Sequence, residues 1–100
     1  MITELTQQTF KENVTTNPVC MVDFYSTSCG PCRVLLPTLE KLAAEFPISK
    51  VNVYESPDLA NEAKISAVPT LIFYKDGKEA KRLKGIQTEQ ALREAFDGLK

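Results

Sequence analysis

One hundred residues suit a single domain, read here as 1–100, with a core large enough to fold alone but little to spare. At 43% hydrophobic and 25% charged residues the chain is ordinary globular material, which excludes a disordered polymer. A net charge of −1 supplies no field to recruit nucleic acid or an anionic bilayer, and no apolar run is long enough to span a membrane.

Residues 1–5 read as a short strand. Thr6 is placed to cap a helix running to about Asn13, with Leu5 and Phe10 set for a hydrophobic staple. Asn13-Val14-Thr15 fits a glycosylation sequon, read as incidental because no charged-then-apolar leader precedes it. Asn17-Pro18 breaks this helix and opens an apolar strand from Val19 to Tyr25. From Pro31 to Phe46, Leu35, Leu39, Leu42 and Phe46 recur at helical spacing, so an amphipathic helix is expected to lie on a sheet. Pro37 inside it should free the Arg33 carbonyl and bend it.

Pro47 closes that helix, and Lys50 to Tyr54 reads as a strand. Ser56-Pro57 pairs a capping residue with a first-turn proline, opening a short helix to about Lys64. Thr70 to Tyr74 is a nearly continuous apolar strand reaching Asp76-Gly77, a hairpin signal. The strand that follows carries Lys78, Lys81, Arg82 and Lys84. Glu79 interrupts the positive charge, so a solvated sheet edge is a better account than a basic patch. Thr88 caps a last helix with Leu92, Ala95, Phe96 and Leu99 on one stripe. Two strand–helix–strand passages followed by a hairpin and a helix predict an α/β chain: a mixed sheet of four to five strands with about four helices on its faces.

Chemistry concentrates where the Val19–Tyr25 strand hands over to the next helix. Cys29-Gly30-Pro31-Cys32 puts two thiols on a first helical turn, where free N–H groups and the positive dipole end favour a thiolate. Gly30 leaves the backbone beside the sulfur uncrowded, and Pro31 suits a first turn. The absence of histidine removes Cys–His pairs, His-ligated zinc and imidazole acid/base catalysis together. A reducing compartment is expected, where a dithiol is catalytic or metal-binding rather than structural. Cys-x-x-Cys alone fits either role, although zinc needs four ligands and only Cys20 and carboxylates remain.

Taken with Val22-Asp23-Phe24, Pro37, Val68-Pro69-Thr70, Asp76-Gly77 and Gly85, the Cys-Gly-Pro-Cys word closely resembles the thioredoxins, in their order and near their spacing across essentially the whole chain. The resemblance implies the thioredoxin fold and a dithiol–disulfide oxidoreductase that reduces protein disulfides. Cys29 is then the exposed nucleophile and Cys32 the resolving thiol, the two forming a reversible disulfide. Asp23, the one charge in its strand, is implied to be a buried carboxylate that accepts the Cys32 proton, with Lys50 a modulator nearby. A cis Val68-Pro69 bond is implied to face the dithiol. The Val68 backbone, with Ser28, Ala67 and Gly85 beside it, would receive an extended substrate segment. Cys20 is expected to pack as a small apolar residue.

No cofactor is expected on this chain: NADPH and FAD belong to a partner thioredoxin reductase, unless another electron donor serves. A cytoplasmic monomer follows from the same reading. Rival readings are a docking module with idle cysteines and a metal carrier. Two departures stand out. Ser28 replaces the tryptophan usual before the first cysteine, and Tyr54 replaces a common aspartate. Tyr54 is expected to fill part of the vacated space. Tyr25 also stands where tryptophan is common, a milder change.

Overall fold

A computed structural model describes residues 2–100. Among the described residues nine elements follow in order: β1 (Thr3–Glu4), α1 (Phe10–Thr16), β2 (Val19–Tyr25), α2 (Gly30–Leu42), β3 (Ile48–Asn52), α3 (Pro57–Glu62), β4 (Thr70–Lys75), β5 (Lys78–Lys84) and α4 (Glu89–Gly98). The strands form one mixed sheet in the order β1-β3-β2-β4-β5. β1, β3 and β2 are parallel, whereas β4 runs antiparallel to both β2 and β5.

Alternation along β2 divides the interior in two. Met21 faces a core built with Leu35, Leu39 and Leu42 of α2 and Leu92 and Phe96 of α4. Cys20, Val22 and Phe24 face the other core, which holds Val14 of α1 and Leu59 of α3. At the β4–β5 hairpin both Asp76 and Gly77 have positive φ, 52° and 82°. That geometry suits a two-residue turn twisted like its strands. β5 is the exposed edge, as its charge requires.

Several boundaries differ from the sequence reading. The first strand is only Thr3–Glu4, and the Met1 end of its expected span lies outside the described residues. α1 starts after Thr9, not Thr6, with no side-chain capping bond from Thr9, and runs to Thr16. Thr6 closes a separate turn: its N–H donates to Thr9 Oγ1 (2.9 Å) and its carbonyl accepts from Phe10 N (3.0 Å). At the other end Thr15 and Thr16 return their hydroxyls to the Lys11 and Glu12 carbonyls, which carries the helix past Asn13. α2 stops at Leu42 rather than Phe46, because the Leu42 carbonyl takes both Glu45 N and Phe46 N in a closing turn. Phe46 still packs on the core, stacked on Phe96 at 4.3 Å. β3 is shifted to Ile48–Asn52, and Val53 and Tyr54 belong to a turn. The Asn52 side-chain carbonyl accepts from Tyr54 N and Glu55 N, an Asx turn that ends the strand.

Candidate active site

β2 ends at Tyr25 in the middle of the sheet, and Ser26-Thr27-Ser28 turns the chain into α2. Side chains fix that turn. Ser26, buried, accepts Ser28 N–H on its Oγ (3.1 Å), the two hydroxyls lie 3.0 Å apart, and Arg33 donates to the Thr27 carbonyl (2.8 Å). Neither Ser26 nor the Arg33 side chain is marked by a motif; the clustered Ser and Thr before a helix are the only local signal of this turn. Cys29 is the N-cap of α2, its sulfur accepting from Cys32 N–H at 3.1 Å, and Pro31 sits in the first turn. The two cysteines are joined as a disulfide with Cα atoms 5.2 Å apart. Cys29 is half-buried, Cys32 is buried, and Gly30 and Pro31 are exposed.

Because β4 runs antiparallel to β2, its start lies beside the end of β2, with Thr70 in register with Phe24. This brings the cis Val68–Pro69 bond to the dithiol, Cys29 Sγ standing 3.7 Å from the Val68 carbonyl oxygen. Thr70 Oγ1 donates to the Ala67 carbonyl (2.7 Å) and Gly85 N–H to the Pro69 carbonyl (2.9 Å), so Ala67 and Gly85 flank the same segment. Ser28 is exposed beside Cys29.

Asp23 is 2% exposed and its Oδ1 has no hydrogen-bond partner among the described residues. With Cys32, Tyr25, Arg33, Leu36 and Lys50 it lines a cleft of about 360 Å³. Burial pushes its carboxyl up to about 7, Lys50 pulling it down and Glu4 raising it further. Lys50 is the in-register partner of Asp23 on β3, and its ammonium lies 5.3 Å from the centroid of the Tyr25 ring. An acid that ionises near neutrality, in one cleft with a buried thiol, suits it to exchange a proton there. Cys20 is buried away from the cleft in the other core. Tyr54, expected to fill part of the space beside Ser28, is instead 75% exposed and lines a shallow pocket with Ala60, Ile65 and Val68. Among the described residues no group of three His, Cys, Asp or Glu is placed to hold a metal ion, and no helix is long and apolar enough to cross a membrane.

A mixed five-stranded sheet with a redox dithiol at the start of a helix, facing a cis-proline, defines a thiol–disulfide oxidoreductase of thioredoxin fold. The family model described as Thioredoxin matches residues 1–97. The chain is 40% identical over 95 residues to thioredoxin from Chlamydia trachomatis serovar D, covering 92% of each chain. It is 37% identical over 100 residues to thioredoxin from Staphylococcus haemolyticus, covering 96% of this chain and 95% of the other. Among solved structures, a mutant thioredoxin from Halobacterium salinarum NRC-1 superposes with a TM-score of 0.92 at 31% identity, over 97% of this chain and 88% of that one. Oxidised mitochondrial thioredoxin 3 from Saccharomyces cerevisiae gives 0.85 at 34% identity, over 97% and 94%. The chain belongs to the thioredoxin family, and its activity is protein-disulfide reduction through the Cys29–Cys32 pair.

Proposed function

We propose that Cys29 attacks the disulfide of a protein substrate, that Cys32 resolves the intermediate, and that Asp23 takes the Cys32 proton. The Cys29 thiolate displaces one substrate sulfur as a thiolate, which picks up a proton, and leaves a mixed disulfide. Cys32 then gives its proton to Asp23 and attacks the Cys29 sulfur, releasing the second substrate thiolate. The substrate gains two electrons and the chain is left as the Cys29–Cys32 disulfide. The observation that carries these roles is the asymmetry of the pair: Cys29 caps α2 half-exposed with an N–H aimed at its sulfur, while Cys32 is buried one turn deeper. In the reduced protein the same N–H faces a thiolate, which lowers the thiol's proton affinity and keeps more of Cys29 ionised for the first attack, while in closure it is the substrate sulfur that leaves.

An extended substrate segment pairs with the Val68 main chain, held beside the Cys29 sulfur, with Ala67, Pro69, Gly85 and Ser28 around it. Main-chain pairing is sequence-tolerant, so the substrates are a broad set of proteins with exposed disulfides. Regeneration falls to a thioredoxin reductase that carries FAD and takes electrons from NADPH, and the working place is a reducing, cytoplasmic compartment where the chain acts as a monomer.

Single-cysteine variants test the roles. With a protein disulfide as substrate, Cys29→Ser abolishes turnover, and Cys32→Ser stalls after one event with substrate bound to Cys29 as a mixed disulfide. Trapping of substrate on Cys32 in the Cys29→Ser protein, at the rate of the converse pair, overturns the assignment.

A further inference from the structure

Three neighbouring strands carry one charge each in a single register row. Glu4 of β1 pairs with Lys50 of β3, and Lys50 pairs with Asp23 of β2, so acid, base and acid run side by side from the sheet edge to its buried centre. Glu4 is exposed but anchored: Oε1 accepts from the Tyr25 hydroxyl at 2.6 Å and Oε2 from Asn52 N–H at 3.1 Å. Tyr25 in turn forms a wall of the Asp23 cleft and carries the Lys50 ammonium over its ring. Lys50 forms no ion pair with either carboxylate among the described residues, so its field is divided between them.

We propose that Glu4 is a positioning residue for the proton chemistry of Asp23: fixed at the outer end of the row, its charge offsets the Lys50 ammonium and limits how much of that cation's field reaches the buried carboxyl. The other groups facing Asp23 are Tyr25 on its own strand, Cys32 and Arg33 from α2, and Leu71 of β4 in register opposite. Of these only Arg33 adds a full charge in the reduced and oxidised protein alike, and its guanidinium is committed to the Thr27 carbonyl. The shifts on Asp23 agree in sign, Lys50 lowering its proton affinity and Glu4 raising it. Two strand spacings separate the acids, about 10 Å. At that range an anchored charge beside a buried one moves a titration by about half a pH unit, less as salt rises.

The inference rests on Asp23 as the Cys32 proton acceptor only for its effect on rate, and its primary test is independent of activity. The Asp23 carboxyl carbon is followed by NMR against pH in the full-length oxidised protein, at low salt and in about 1 M salt. Glu4→Gln is expected to move the midpoint down by about 0.5 and Glu4→Lys by about 1, both differences shrinking in the high-salt series, where the screening length is about 3 Å. A midpoint that stays in place at low salt, or a difference that persists undiminished in high salt, overturns the inference. The rate of Cys32 closure on a preformed mixed disulfide should shift along pH with the midpoint. A midpoint that moves while the closure profile stays put keeps the Glu4 inference and removes Asp23 as the acceptor.

Discussion

Between about pH 4, where an ordinary aspartate ionises, and about 7, where Asp23 does, the folded chain holds a proton that the unfolded chain has released. Stability from this group is therefore fully present below pH 4 and lost as pH rises through 7. Asp23→Asn should make the fold more stable at pH 8, by at most about 4 kcal/mol, with the difference vanishing near pH 4; urea unfolding across that range reads it. With Asp23 as the proposed acceptor of the Cys32 proton, the same substitution should slow closure by Cys32 by about 10-fold or more near neutral pH. Stability and chemistry thus pull in opposite directions at one carboxyl. Cys20 is the contrasting case. Burial pushes its thiol up to about 11, and its sulfur lies 3.9 Å from the Val14 carbonyl. At pH 8 only about one molecule in a thousand carries its thiolate. A thiol reagent should count two groups in the native reduced protein and three in denaturant; three in the native state would show that the strand opens.

Elements meet through groups that look idle in the sequence. Arg82, read as one more charge on a solvated edge, lies across from the end of α3 and donates to the carbonyls of Ala63 (2.7 Å) and Lys64 (3.3 Å). Its fork is held by Glu79, with Nε and Nη2 each 2.8 Å from a carboxylate oxygen. A helix leaves its last carbonyls without partners, so this side chain caps α3 from another strand while Lys64 takes positive φ to stop it. Arg82→Lys keeps the charge and loses the planar fork, and should cost about 1 kcal/mol in chemical denaturation, with Arg82→Ala costing more. Nothing in the local pattern announces such a contact. What the pattern does announce are features set by neighbours along the chain: the Asp76-Gly77 turn, the Thr88 cap with Ala91 N–H on its hydroxyl at 3.0 Å, and the dithiol on the first turn of α2. Boundaries slipped where side chains settled backbone groups in ways that periodicity does not encode. The Thr9 hydroxyl took the Thr6 N–H in a turn ahead of α1, and Asn52 ended β3 before Val53 and Tyr54, though both are good strand residues.

At the scale of the molecule, strand order is what the sequence withholds and what the site needs. The Glu4, Lys50 and Asp23 row exists only because β3 inserts between β1 and β2, and no spacing between positions 4, 23 and 50 signals it. The same sheet keeps two cores apart, and their loads differ. On the α2 and α4 side, Phe96 stacks on Phe46 and meets Phe73 edge-on at 5.0 Å, while Leu35, Leu39 and Leu42 seat α2 in the same cluster. Truncating a buried phenylalanine costs about 3–5 kcal/mol, against about 5–15 kcal/mol for a whole domain. Phe96→Ala should therefore lower the urea midpoint by a large fraction of its value with an unchanged slope, while Phe96→Leu loses less than half as much. The dithiol should respond differently. Its turn is fixed by Ser26, Ser28 and Arg33, and its facing segment by Thr70 and Gly85, none of which touches the Phe96 ring through the bonds that hold them. In the folded fraction of Phe96→Ala, well below its midpoint, disulfide reduction per folded molecule should stay within about 2-fold of the parent chain. A drop in rate beyond the loss of folded protein would mean that the seat of α2, and not the local turn, holds the two sulfurs in place.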